Sequence, residues 1–332
     1  MNKFHFITVV WGDAYTDLYQ NIVLPNLLSA GNLPAFAGEE AVFKIYTTLR
    51  SADSIKLSPA FERLSKLMPV EFILMDGSKG GGNKYRLWSE YNRQAVAAAQ
   101  KKGAGMIFLP SDQIYADGSF KRLLEIARTG KKAVMVAGLR VIKEELMPLL
   151  LKKFYSSRDH SITISSRQLM RLALNCFHPI TQAVVYGRKR IGAWPSHVYF
   201  PVPGEGLLAR CFHLHPLLVR AGEKASFSGT IDGDFLTAAC PDFNDIQVIG
   251  SSDEILAVEL DERAQPLNGG AMRPSALNLA AWAKYNADPY HREYFKTSIK
   301  FIADETAASW AAAEGLAAGL ADKIFFWLRF EP

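Results

Sequence analysis

Cysteine is scarce in this chain: Cys176, Cys211 and Cys240 are far apart and odd in number. No CxxC pair occurs, so neither a disulfide framework nor a thiolate zinc site is supported, and a reducing, cytoplasmic setting is expected. Long apolar runs are lacking too. None approaches the ~20 residues of a membrane-spanning helix. The first twelve residues, interrupted by His5, lack the cationic start and small-residue cleavage site of a signal peptide. Charge of one sign is nearly balanced, with 38 Lys plus Arg against 33 Asp plus Glu, or +5 over 332 residues. The scattered bases are not interleaved with aromatics on one surface, so nucleic acid is not an expected partner.

The chain does have an ordinary soluble composition, 49% hydrophobic and 21% charged, which excludes fibrous and wholly disordered classes. Short apolar, β-rich runs alternate with helical stretches through the first 140 residues. Strands are expected at 4–10, 42–48, 70–75, 105–109 and 132–137, and helices at 15–28, 61–67, 85–101 and 120–128. That rhythm signals βαβ units and a mainly parallel sheet covered on both faces. Beyond Arg140, helices are expected at 144–154 and 167–175. Strands follow around a Gly-Glu-Gly turn within 197–219, and at 247–250 and 255–260. From Ala264 the sequence turns Ala-rich and helical, at 276–285, 292–303 and 306–330. The expected organisation is one mixed α/β domain over residues 1–262 and a helical C-terminal extension over 263–332.

In open parallel sheets, ligands bind beyond the carboxyl ends of the strands. Here those ends read Trp11-Gly12-Asp13, Tyr46-Thr47-Thr48, Asp76-Gly77-Ser78 and Ser111-Asp112. An aromatic, hydroxyls and carboxylates at one edge suit a nucleoside; the same residue types also serve as turns and caps after any strand. The glycine-dense patch Gly77–Asn83 fits neither GxGxxG nor GxxxxGK[ST], which disfavours dinucleotide and P-loop chemistry.

This series of strand ends, with an acid after the third strand and Phe108-Leu109-Pro110-Ser111-Asp112 after the fourth, resembles the nucleotide-sugar-binding half of GT-A-fold glycosyltransferases. The resemblance implies a Rossmann-like mixed sheet and a sugar transferred from a nucleotide-sugar donor to a hydroxyl acceptor. It also implies a role in cell-surface or envelope glycan synthesis. By position, Trp11, Gly12, Thr47 and Asp76 would hold the nucleoside. Ser111 and Asp112 would fall at the DxD motif for ribose and metal–diphosphate, with Pro110 standing where its first acid belongs. A divalent metal, Mn2+ or Mg2+, is implied as cofactor.

Four further features carry chemistry. His213 and His215 in Phe212-His213-Leu214-His215-Pro216 would share one face of a strand and could complete a metal site with Asp112; one core and one exposed histidine is the alternative. With Asp232 the same pair would suit a metal-dependent hydrolase. Asp232 and Asp234 are candidates for the general base of glycosyl transfer, or else for a helix cap. Lys84 and Arg86 at a helix start, Arg140 after the fifth strand, and Arg188-Lys189-Arg190 are candidates for phosphate or an anionic acceptor. The aromatic end Ile324–Phe330 either packs back as a terminal helix or forms a peripheral membrane or dimer contact. A non-catalytic nucleotide- or carbohydrate-binding protein of the same fold is the remaining alternative.

Overall fold

The computed structural model describes residues 3–76, 84–222, 225, 231, 234–266, 270–305 and 307–330. The chain begins with β1 (Lys3–Val9) and α1 (Asp13–Leu18), which runs through a π-helical turn at Tyr19–Val23 into α2 (Leu24–Leu27). Pro25, which has no N–H for the helical ladder, follows that widened turn directly. Next come β2 (Glu40–Thr47), α3 (Leu49–Lys56), α4 (Pro59–Leu67) and β3 (Val70–Leu74). Thr48 and Ser58 cap α3 and α4 through their side-chain oxygens, satisfying N–H groups that have no intrahelical partner. Then follow α5 (Lys84–Gln100), β4 (Gly105–Phe108), β5 (Gln113–Tyr115), α6 (Ser119–Arg128) and β6 (Ala133–Val136).

The middle of the chain contains β7 (Gly138–Ile142), α7 (Lys143–Phe154), β8 (Tyr155–Ser156), β9 (Ser161–Ile162), α8 (Ser166–Leu174) and α9 (Pro179–Ala183). After these come β10 (Ile191–Gly192), β11 (His197–Val202), β12 (Gly206–Cys211), β13 (His215–Val219) and α10 (Asp234–Ala239). The last third holds β14 (Ile246–Val248), β15 (Ala257–Asp261) and β16 (Ala271–Met272). It ends in α11 (Ala276–Asn286), α12 (Pro289–Phe295), β17 (Ile299–Ile302) and α13 (Ala307–Leu328). The helix expected over 292–303 is therefore wrong in its second half. Ile299-Lys300-Phe301-Ile302 forms a strand that pairs antiparallel with β12.

Contacts divide the chain into two compact units that interleave in sequence. The first comprises 1–136, 147–164 and 216–247; the second comprises 137–146, 165–215 and 248–332. The expected boundary at 262/263 falls inside the second unit. The described residues from 263 onward belong to it, with β17 pairing with β12 and α13 packing on β11 and β12.

The first unit is built on a seven-stranded sheet ordered β14-β6-β13-β4-β1-β2-β3. The run β4-β1-β2-β3 is parallel, and β13 joins β4 antiparallel. This is the expected mixed, mainly parallel α/β architecture flanked by helices. On one face Phe6 stacks on Phe43 and Phe120 and meets Phe36 edge-on. Buried Asn26 ties this layer to β5: its Nδ2 donates to the Tyr115 carbonyl (2.9 Å) and its Oδ1 accepts from the Tyr115 N–H (2.7 Å).

In the second unit, β11-β12-β17 form an antiparallel sheet and β7 pairs with β15 in parallel. Phe212 stacks on Phe295 at 4.0 Å, within a core that takes in Phe200, Leu208, Leu279, Trp310 and Ile324. Small alanines let α13 lie along α11 and over the sheet. At Gly206 (φ 151°) a Cβ would meet the Phe301 carbonyl at 2.0 Å, so β12 and β17 approach closely only because that position is glycine. Among the described residues no helix is long and apolar enough to cross a membrane.

Candidate functional site

The order of the parallel strands fixes where the site lies. The chain steps outward from β1 to β2 to β3, then returns to lay β4 on the other side of β1. The winding direction reverses between β1 and β4, and in such sheets the ligand crevice lies at that reversal, outside the carboxyl ends. Trp11-Gly12-Asp13 follow β1 there, and Pro110-Ser111-Asp112 follow β4.

Backbone ladders run slightly past the strands and hold these ends in register. Val10 donates to the Tyr46 carbonyl (3.0 Å), Met75 to Thr47 (2.8 Å) and Leu109 to Ile7 (2.8 Å). Trp11 is half-buried, whereas Gly12 and Asp13 are exposed. Gly12 sits at φ 82°, ψ 143°, a conformation glycine alone adopts without strain, and its carbonyl accepts the first bond of α1 from Thr16 at 2.9 Å. Asp13 is ion-paired with Arg50 at 2.7 Å in the open.

At the end of β3, both main-chain groups of Asp76 meet the Tyr91 hydroxyl, which accepts from the Asp76 N–H and donates to its carbonyl. Tyr91 comes from α5 and leaves the Asp76 carboxylate on the surface. Its ring lies 6.0 Å from Tyr46, whose hydroxyl is pushed up to about 12 by burial, then by Glu71. Nothing in the sequence marked Tyr91 as the tether of Asp76. Towards the opposite, amino end of β1, His5 is held down to about 4, chiefly by burial and next by Lys44.

Ser111 and Asp112 form the half-buried turn from β4 into β5. Lys84 opens α5 with Arg86 in its first turn, both exposed, where the helix N-terminus adds its own positive end. Asp234 opens α10; its side chain, Asp232 and the Gly77–Asn83 patch lie outside the described residues. The next residue, Phe235, meets Phe108 of β4 edge-on with 6.4 Å between ring centroids. That contact brings the start of α10 beside the strand that leads to Asp112, although the two are far apart in sequence.

Several expected residues are placed differently. Thr47 is fully buried, because period two puts it on the inward face with Phe43 and Ile45, and its hydroxyl finds no partner. The accessible hydroxyl at this end belongs to Thr48, which caps α3 and donates to Ser51 (3.1 Å). Arg140 lies past the expected fifth strand, but within a further strand, β7, of the second unit. Its guanidinium is held by Glu259 (2.9 Å) and Asp261 (3.2 Å), so its charge is already met. Burial nevertheless raises the Asp261 carboxyl above its ordinary range, with Arg140 opposing.

The histidine pair does not share a strand. His213 lies in the connection between β12 and β13, and His215 opens β13. The His213 ring stacks on His291 at 4.2 Å, with its Nε2 3.3 Å from the Asn286 carbonyl. Among the described residues no group of three or more His, Cys, Asp or Glu could hold a metal ion. The metal expected at Asp112, His213 and His215 thus lacks a donor set among them; Asp232, the third residue of the hydrolase reading, lies outside the described residues.

No family profile and no curated protein matches this chain. Solved structures give partial likenesses. S. aureus TarS 1–349 matches over 52% of this chain and 56% of its own, at 12% identity and a TM-score of 0.30. A chain described as a glucose-1-phosphate thymidylyltransferase from Bacillus anthracis matches over 42% and 55%, at 12% identity and 0.27. A mannose-1-phosphate geranyltransferase from Thermus thermophilus matches over 42% and 42%, at 16% identity and 0.25. The chain thus spans about half the length of the first two and 42% of the third.

Proposed function

We propose that the chain is a nucleotide-sugar-dependent glycosyltransferase whose donor site is the β1/β4 edge. The observation that carries this reading is the reversal of winding between two strands that end in an aromatic, a glycine and acids. In this reading Trp11, Gly12 and Asp76 receive the nucleoside, and Ser111 and Asp112 receive the ribose and the diphosphate side. Lys84 and Arg86, at the positive end of α5, balance the charge that develops on the departing diphosphate. Asp232 or Asp234 accepts the proton of an acceptor hydroxyl as its oxygen bonds to the sugar's anomeric carbon and the bond to the diphosphate breaks.

Thermal-shift titration with UDP-, GDP-, CMP- and dTDP-sugars, each with and without Mn2+ or Mg2+, tests the reading. Stabilisation by one nucleotide family is expected, with about tenfold or greater weakening in Asp112→Asn, as for loss of a charged hydrogen-bond partner. No stabilisation by any nucleotide sugar sinks the proposal. Nucleotide binding without sugar release or transfer to any hydroxyl acceptor would instead leave a binding protein.

A further inference from the structure

Several cations of the second unit are met by carboxylates. Arg167 is paired with Asp253 and Glu305, Arg140 with Glu259 and Asp261, Lys143 with Glu262, Arg263 with Glu145 and Lys300 with Glu314. The ribbon formed by β10 and β16 departs from that pattern. Ile191 faces Met272 and Gly192 faces Ala271, so the next pair along this register is Arg190 and Arg273. Arg188 and Lys189 precede them, and all four side chains are exposed. None takes part in an ion pair among the described residues. The sequence supplies no counter-charge locally: it has no Asp or Glu from His160 to Gly204, and none from Arg263 to Ala287.

An aromatic lies past the other end of this short ribbon, four residues along from Arg190. Trp194, two residues past β10, is 51% exposed and held at right angles to Trp282 with 5.2 Å between ring centroids. Trp282 in turn packs on Phe212 at the centre of the core, so the exposed indole has a rigid backing. Arg190 is also fixed, its guanidinium donating to the Ala271 carbonyl at 2.8 Å. Like charges gathered without carboxylates raise the local potential and attract anions. Guanidinium groups take phosphate or carboxylate through paired N–H donors, while an open indole face packs against the C–H face of a sugar ring.

The geometry points to a binding site for an anionic saccharide, one carrying phosphate groups along a sugar chain, on the β10–β16 ribbon and Trp194. Cations alone would serve any polyanion; the backed, exposed indole at the other end of the ribbon selects the sugar-bearing one, a chain long enough to reach both. The inference names an acceptor class for the transferase and in that respect rests on the proposed function.

The test is direct binding of the full chain to phosphomannan, with neutral mannan, phosphatidylglycerol vesicles and single-stranded DNA as competing probes. Saturable binding to phosphomannan that weakens with salt is expected, with none to mannan. Arg188→Glu/Lys189→Glu, which leaves the Arg190–Ala271 bond intact, should weaken it by about tenfold or more. Trp194→Ala should weaken phosphomannan binding several-fold while its salt dependence stays unchanged. The proposal is overturned if phosphomannan does not bind, if DNA or vesicles bind as tightly, or if Trp194→Ala is silent. The same variants should keep the wild-type response to nucleotide sugars. In the wild-type chain, nucleotide-sugar stabilisation without phosphomannan binding refutes this site alone, and phosphomannan binding without nucleotide-sugar stabilisation refutes the donor site alone.

Discussion

The two units differ in the sheet on which each is built and in what the strand ends present. In the first, a parallel sheet closes over stacked phenylalanines, and acids, hydroxyls and an aromatic collect beyond the strand ends, where the fold leaves them at the surface. In the second, an antiparallel sheet and an Ala-rich helix close the core, and charge is drawn into ion pairs such as Arg140 with Glu259 and Asp261. Asp112 and Asp261 are both aspartates near strand ends; Asp112 lies in a half-buried turn of the first unit, whereas Asp261 is ion-paired with Arg140 of the neighbouring strand.

Substitutions can test that contrast. The largest effect is expected at the catalytic carboxylate. Asp232→Asn or Asp234→Asn, whichever removes the base, should lower turnover by about 10²–10⁴-fold and leave nucleotide affinity unchanged; a rate assay beside the thermal shift decides it. If both variants turn over normally, neither acid is the base.

Core truncation comes next. Phe6→Ala in the first unit and Phe212→Ala in the second should each cost about 3–5 kcal/mol, as for other buried phenylalanines. Calorimetry in which each variant depresses its own transition would sharpen the distinction between the units; one shared transition would erase it.

Acid sensitivity should be smaller and graded. His5 is held to about 4 by burial and then Lys44, and His197 to about 3 by burial, then His213 and Arg140. Both rings stay neutral in the fold but protonate near 6.5 when unfolded. Their stabilising effect is full above that value and is lost as pH falls, through about 4 for His5 and about 3 for His197. His5→Gln should flatten the melting temperature between 6.5 and 4 in part, and His197→Gln should do so further into acid. Identical pH profiles for wild type and both variants would contradict this assignment.

The smallest effect is expected at Gly12. Alanine there meets no atom within 4 Å but must adopt φ 82°, so a loss of about 1–2 kcal/mol is expected from backbone strain alone. A larger loss would mean that the turn is doing more than directing the chain into α1.

Much of the first unit was legible because its strands are short apolar runs bounded by turns, and each of the five expected there formed within a few residues. α3 was missed because Leu49–Lys56 offers few apolar positions and depends on the Thr48 cap. β17 was read as helix because it follows α12 after only a brief break at Lys296–Ser298, and its pairing with β12 is long-range. In the site, residue identity at strand ends was readable, but facing was not. Thr47 turned inward with its period-two partners, and Arg140 found two acids more than a hundred residues away. The histidine motif failed for a related reason, since spacing alone cannot say whether residues 213–215 continue a strand or leave one.

The chain visits each unit three times, and this governs the order in which the protein can fold during synthesis. β13 and β14 lie inside the seven-stranded sheet or at its edge and come from residues 215–248. β6 sits between those two strands in the sheet order, although it is made about eighty residues before the first of them. A nascent chain that has emerged only to Val136 thus carries a parallel four-strand half-sheet with β6 unpaired, a species whose open edge needs shielding until residue 248 has left the ribosome. Shortening the gene at any unit border up to 215/216 would strand the same edge permanently.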